Sequence, residues 1–181
     1  MTTDRLPALT LITGGAKSGK SRFAEGLVTA TGRPRVYIAT AEAWDAEMRD
    51  RIAEHLRDRG DGWHTIEAPR DLCAALALVP PGAVVLVDCA TLWLSNQLLA
   101  EADPDTEAEA LLTALNACAA PVVVVTNEVG WSIVPDNALA RRFRDAQGRL
   151  NQRLAAQAGL AVAVIAGLPV VLKGALPAAS A

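Results

Sequence analysis

Leu9-Thr10-Leu11-Ile12-Thr13-Gly14-Gly15-Ala16-Lys17-Ser18-Gly19-Lys20-Ser21 joins an apolar run to a loop that meets G-x-x-x-x-G-K-[ST] at every fixed position. A helix-compatible segment, Arg22 to Ala30, follows. Strand, loop and helix in that order is the context in which the motif means a phosphate-binding loop. Gly14, Gly15 and Gly19 let the backbone turn with its amides inward, where they cradle phosphate oxygens, and the helix N-terminus adds partial positive charge. The candidate nucleotide site is therefore Gly14, Gly15, Ala16, Lys17, Ser18, Gly19, Lys20 and Ser21. Lys20 is expected to reach the β- and γ-phosphates, and Ser21 to offer its hydroxyl to Mg²⁺. The plainer alternative, a glycine-rich turn that binds nothing, leaves the flanking strand and helix as coincidence. The chain reads as one that handles a nucleoside triphosphate.

Outward from this loop, composition narrows the class. A chain of 181 residues with 51% apolar residues suffices for a single domain, 1–181, with a substantial core. A net charge of −3 argues against a surface that coats nucleic acid. Cys73, Cys89 and Cys118 are odd in number and lack C-x-x-C spacing, so they read as reduced thiols of a cytoplasmic protein. Met1 to Ala8 shows no apolar signal core. The run Leu160–Leu172 is too short to span a bilayer and contains Gly167 and Pro169. Residues 1–8 and 174–181 read as loose tails.

Five further short apolar runs alternate with helix-like stretches: Arg35–Ala39, Trp63–Glu67, Ala83–Asp88, Val122–Thr126 and Leu160–Ile165. Val84-Val85-Leu86-Val87 and Val122-Val123-Val124-Val125 show no polar alternation, the signature of parallel strands covered on both faces. Helices are expected over Ser18–Thr31, Ala43–Arg59, Arg70–Leu78, Leu92–Glu101, Glu107–Cys118 and Asn137–Ala158, with Asp103-Pro104-Asp105 as a surface turn. The fold class is α/β, doubly wound around a mostly parallel sheet. Ligands of such sheets sit beyond the carboxyl ends of the strands. The segments to inspect are the loop above, Thr40-Ala41-Glu42, Glu67-Ala68-Pro69, Asp88-Cys89 and Asn127-Glu128-Val129-Gly130.

Val84–Asp88 is an apolar strand ending in a carboxylate, which can hold a phosphate-bridging Mg²⁺ or merely cap a helix. His55 falls in the apolar stripe of the Ala43–Arg59 helix, beside Arg51. One reading makes it a hydrogen-bonded structural residue. The other makes it a nucleophile toward phosphorus, with Arg51, Arg57 or Arg59 neutralising the phosphates. His64 has less to recommend it. In Asn127–Pro135, Trp131, Ile133 and Val134 could line a pocket for a large apolar substrate, meet another subunit, or simply anchor a loop. Arg141, Arg142, Arg144 and Arg149 make the next helix basic, with Asp145 spaced to pair with Arg141 and Arg149.

Taken in order, Gly14–Ser21, Tyr37-Ile38-Ala39-Thr40-Ala41, Arg51-Ile52-Ala53-Glu54-His55, Asp88–Asn96, Asn127–Pro135 and Leu139–Gln152 form a recognisable set. The chain resembles the bifunctional adenosylcobinamide kinase / adenosylcobinamide-phosphate guanylyltransferase family of cobalamin biosynthesis, from about Leu9 to Lys173. The resemblance implies a P-loop NTPase fold with a RecA-like sheet and helices on both faces, acting as a homotrimer. It implies transfer of a γ-phosphate from ATP or GTP to the aminopropanol hydroxyl of adenosylcobinamide. It then implies attack of a histidine on the α-phosphate of GTP and delivery of GMP to adenosylcobinamide phosphate. The family's histidine falls on His55. Its nucleotide contacts fall on Gly14–Ser21, Ala39, Thr40, Ala41, Leu56, Arg57, Asp58, Arg59, Glu67 and Asp88, with Ser21 and Asp88 toward Mg²⁺. The family usually carries Arg in place of Lys17 and glycine in place of Ser132. A monofunctional P-loop small-metabolite kinase and a nucleotide-dependent switch remain the alternatives.

Overall fold

The structure, a computed structural model, describes residues 6–43, 46, 49, 50, 53, 57 and 59–178. In chain order its elements are β1 (Leu9–Gly14), α1 (Lys20–Thr29), β2 (Arg35–Ala39), β3 (Trp63–Glu67), α2 (Leu72–Ala77) and β4 (Val84–Asp88). They continue with α3 (Ala90–Leu99), α4 (Pro104–Ala117), β5 (Val122–Asn127), α5 (Ala138–Gln157), β6 (Leu160–Ile165) and β7 (Leu168–Lys173). Between β2 and β3 the described residues Ala46, Arg49, Asp50, Ala53, Arg57 and Arg59 are helical.

All seven strands form one sheet in the order β3-β2-β4-β5-β1-β6-β7. Strands β1 to β6 all run parallel to one another, while β7 is antiparallel to β6. The unbroken apolar runs are buried on both faces, as their composition predicts. Along β4, Val85 and Val87 enter one core layer, while Val84 and Leu86 enter the other. The first layer is covered by α2, α3, α4 and α5, through Leu72, Trp93, Leu111, Leu150 and Leu154 among others. Among the described residues α1 is the helix over the second layer, which it meets with Ala24 and Val28.

Three local features differ from expectation. Asp103-Pro104 begins α4 instead of marking a turn between helices: Asp103 accepts from Thr106 N at 2.9 Å, and Pro104 takes the first helical position. Proline suits that position because its missing N–H would have no intrahelical partner there. The helix α3 likewise starts at Ala90, ahead of the expected Leu92. The run Leu160–Leu172 folds as a hairpin: Ala166 (φ 52°) and Gly167 (φ 80°) make a two-residue turn, and Ile165 pairs with Leu168. Two consecutive positive φ values give a turn whose twist matches antiparallel strands. Pro169 is tolerated in β7 because that strand is the sheet's edge.

Leu6 and Leu176, in the stretches read as loose tails, pack against the α1-side core. Among the described residues no helix is long and apolar enough to cross a membrane, and Cys73, Cys89 and Cys118 are free thiols.

Candidate functional site

Parallel pairing of β1 with β5, Gly14 beside Asn127, brings the ends of both strands to one edge of the sheet. Through β5, the pairing of Val125 with Asp88 brings the end of β4 to the same edge. The glycine-rich loop therefore lies one strand away from the carboxylate of Asp88.

The loop itself is tightly determined. Gly19 caps α1 with φ 91°, a left-handed conformation that disfavours any side chain. A Cβ on Gly14 would meet Val164 O at 2.5 Å and Ser18 Oγ at 2.6 Å, so only glycine fits there. Lys17 also has positive φ, at 54°. Gly167 N, in the β6–β7 turn, donates to Ser18 O at 2.9 Å and braces the loop from outside. Gly15, Ala16 and Lys17 are exposed, and Ser18 is half-buried with an Oγ that has no partner.

Lys20 is buried at the start of α1, with Nζ donating to Gly15 O at 3.1 Å. Burial lowers its pKa, and the Asp88 carboxylate is among the neighbours acting the other way. Ser21 is half-buried in the first turn of the same helix. Asp88 Oδ2 accepts from Tyr37 Oη at 3.2 Å. Burial, with Asp88 next in weight, pushes the Tyr37 phenol far above its ordinary value, so it stays a hydrogen-bond donor. The guanidinium of Arg59 lies 3.6 Å from the Tyr37 ring centroid, and its Nη2 donates to Thr65 Oγ1 at 3.1 Å. A cation over a ring face is attracted by the ring quadrupole, which holds Arg59 near the end of β2.

Thr40 is fully buried; its Oγ1 donates to Cys89 O at 2.7 Å and accepts from Cys89 N at 2.8 Å. Asn96 Nδ2 donates to Thr40 O at 2.9 Å. Thr40 thus ties the end of β2 to the turn after Asp88, flanked by the half-buried Ala39 and Ala41. The Cys89 thiol is buried and pushed up to about 12 by that burial. Glu67, at the end of β3, and Arg57 are exposed. The candidates His55, Leu56 and Asp58 lie outside the described residues.

A cleft of about 730 Å³ opens beside the loop. Gly15 to Ser18 form one side, and Val129, Trp131, Val164 and Ile165 give it apolar walls. Glu128, Ser132 and Ala166 complete it.

Sequence reasoning passed over two parts of this edge. Tyr37, the link between Arg59 and Asp88, looked like one more apolar strand residue. Gln147 and Asn151 are buried behind Glu128; they lie in the Leu139–Gln152 stretch that carries the resemblance, but no role at the site was read from them. The expected pairs of Asp145 with Arg141 and Arg149 do not form. Arg149 pairs with Asp105 at 3.2 Å, Asp145 with Arg144 at 3.4 Å, and Arg141 donates to Pro135 O and Asp136 O.

Several known proteins are similar to this chain. The family model for cobinamide kinase / cobinamide phosphate guanyltransferase matches residues 10–172. The bifunctional adenosylcobalamin biosynthesis protein CobP of Pseudomonas aeruginosa is 46% identical over 168 residues, covering 91% of this chain and 96% of that protein. CobU of Salmonella typhimurium, which bears the same description, is 44% identical over 180 residues, with 90% and 98% covered. Among solved structures, the flagellar accessory protein FlaH of Methanocaldococcus jannaschii superposes with a TM-score of 0.50 at 12% identity, covering 93% of this chain and 81% of that one. An ATPase from the type III secretion system of pathogenic bacteria gives a TM-score of 0.53 at 12% identity, covering 90% and 56%. These two likenesses concern the P-loop NTPase fold alone.

Proposed function

This chain belongs to the cobinamide kinase / cobinamide phosphate guanyltransferase family, and on that premise we propose which of its residues carry the two reactions. It is a nucleotide-using enzyme of cobalamin biosynthesis that phosphorylates a cobinamide and then transfers a guanylyl group to the product. A monofunctional kinase has no support among the relatives, which are named bifunctional.

In the first reaction, the loop Gly14–Ser21 cradles the phosphates of ATP or GTP through its amides, and Lys20 neutralises charge on the oxygens of the transferring group. Ser21 Oγ and Asp88 Oδ1 have no hydrogen-bond partner among the described residues. Hard oxygens of this kind suit Mg²⁺ bound mainly through phosphates. Mg²⁺ held by Ser21 and Asp88 would offset the charge on the phosphates. Ala39, Thr40 and Ala41, with Arg59, Glu67 and Asp88, would form the wall of the nucleotide site on the β2 side. Arg57, Leu56 and Asp58 would belong to the same wall. The acceptor is the aminopropanol hydroxyl of adenosylcobinamide, with the apolar cleft beside the loop taking part of the corrinoid.

In the second reaction His55 attacks the α-phosphorus of GTP, pyrophosphate leaves, and GMP passes to adenosylcobinamide phosphate. Imidazole suits the task because its neutral form is a good nucleophile and its protonated form a fair leaving group. The enzyme acts as a cytoplasmic homotrimer.

The observation that supports the nucleotide site most directly is Lys20, buried at the base of a fully formed phosphate loop on the sheet edge that also presents Asp88. Intact-mass analysis after incubation with GTP and Mg²⁺ tests the reading. The wild type should gain a GMP-sized adduct, labile to acid and stable to base. His55→Asn should lose the adduct and guanylyl transfer while still phosphorylating adenosylcobinamide. Adduct formation by His55→Asn, or its mapping to His64, would overturn the role of His55.

A further inference from the structure

A buried polar cluster lies behind the phosphate loop. Gln147 Nε2 donates to Thr126 Oγ1 at 2.9 Å and to Asn151 Oδ1 at 2.8 Å. Thr126 Oγ1 donates to Asn151 Oδ1 at 2.7 Å, and Thr91 Oγ1 lies 3.3 Å from Thr126 Oγ1. Thr91 Oγ1 in turn accepts from Asn127 N at 2.8 Å. The output of this cluster is one carboxylate. Asn151 Nδ2 donates to Glu128 Oε1 at 3.1 Å, and Thr13 Oγ1 donates to the same oxygen at 3.0 Å. Glu128 N donates to Gly14 O at 3.1 Å, so the residue is also fastened by its main chain to the first glycine of the loop.

The second carboxylate oxygen, Oε2, has no hydrogen-bond partner among the described residues, and no described cation pairs with Glu128. Glu128 lines the cleft beside Gly15 to Ser18. Its partners do not explain its charge. Thr13 and Asn151 are neutral donors, and an amide oxygen would accept from both without bringing an ionised group into a half-buried position. An anchored carboxylate with one free oxygen, next to the phosphate loop and facing the acceptor's cleft, suits proton removal. A base acts only when its position relative to the proton is fixed.

We propose that Glu128 is the catalytic base of the phosphorylation step, an inference that rests on the kinase reading above. Glu128 Oε2 takes the proton of the acceptor hydroxyl as that oxygen bonds to the γ-phosphorus. The bond from the γ-phosphorus to the β,γ-bridging oxygen breaks, and its electron pair leaves with the nucleoside diphosphate. The proton then passes from Glu128 to solvent. Its acceptor is an alcohol on a flexible arm of a large molecule whose apolar body meets Val129, Trp131 and Ile165 along the cleft. The guanylylation of the enzyme by GTP uses no such hydroxyl, so it does not need Glu128.

Glu128→Gln tests this, because glutamine keeps an oxygen for Thr13 and Asn151 and loses only the base. Its kcat for adenosylcobinamide phosphorylation should fall about 10²- to 10⁴-fold. Its nucleotide KM should stay within about threefold, and the GMP adduct should form at the wild-type rate. Glu128→Asp should recover at least roughly tenfold over glutamine. Phosphorylation by Glu128→Gln within about threefold of wild type would overturn the proposal, as would an equal loss of kinase and adduct formation. A wild type that fails to phosphorylate adenosylcobinamide would instead overturn the kinase reading on which it rests.

Discussion

Lys20 holds a charge in a place that water barely reaches. Its pKa is lowered chiefly by burial, so the fold disfavours the protonated form. For a base whose folded pKa is depressed, this penalty is present at neutral pH and disappears as pH rises through the folded value toward the unfolded one. Lys20→Ala should therefore melt no lower than the wild type at pH 7, with the difference narrowing toward pH 10. The same variant should lose at least about tenfold in kinase activity, because it removes on the order of 2–4 kcal/mol of transition-state stabilisation. Thermal scans across pH, combined with phosphorylation assays, check both halves. A variant that melts lower but phosphorylates at the wild-type rate would contradict this account of Lys20. Lys20 was legible from the spacing of the loop alone. The burial that makes its charge costly was not, nor was the approach of Asp88 and Cys89, which act the other way from another strand end.

At the scale of elements, α5 shows how one helix serves core and site together. Leu150 and Leu154 face the first core layer, and Gln147 and Asn151, one turn back, reach the strand ends. Leu154 is fully buried and remote from the cleft, so truncation there isolates packing from chemistry. Leu154→Ala should cost about 2–5 kcal/mol, through lost burial and a residual cavity. For a chain of this length that corresponds to a fall of roughly 5–15 °C in melting temperature. Both activities measured at 25 °C should survive, since the folded fraction stays high. A shift under about 2 °C would mean that α5 is not docked through this residue. Periodicity located α5 to within a residue at each end. It failed for β7, because the hairpin's apolar residues ran on through Ala166-Gly167 as one stretch, and the turn depends on backbone angles that composition does not display.

The homotrimer is the whole-molecule proposal, and it has a surface that suits it. Ile133 is 93% exposed and Trp131 79% exposed in the loop after β5, with Val134 and Leu139 also open. Large exposed hydrophobes clustered in one loop are what an interface covers. Light scattering at micromolar concentration should give three times the 18.9 kDa chain mass. Ile133→Asp should shift the population toward the single-chain mass while far-UV dichroism stays unchanged. A wild type that scatters as one chain would remove the trimer from the account.

Much of this protein was determined by local sequence. A phosphate loop needs glycines, a lysine and a hydroxyl at fixed offsets, and buried parallel strands need uninterrupted branched residues, so both are written in contiguous stretches. Asp88 was legible for the same reason, as the polar end of an apolar run. Only the tertiary structure decided the strand order, and with it the placing of β5 between β1 and β4. That order brings Thr13, Glu128 and Asn151 to one oxygen, and Tyr37 and Arg59 to the side of Asp88. Thr13 and Glu128 stand 115 positions apart in the chain. No local pattern records a hydrogen bond of that span, because its geometry exists only after the sheet has closed.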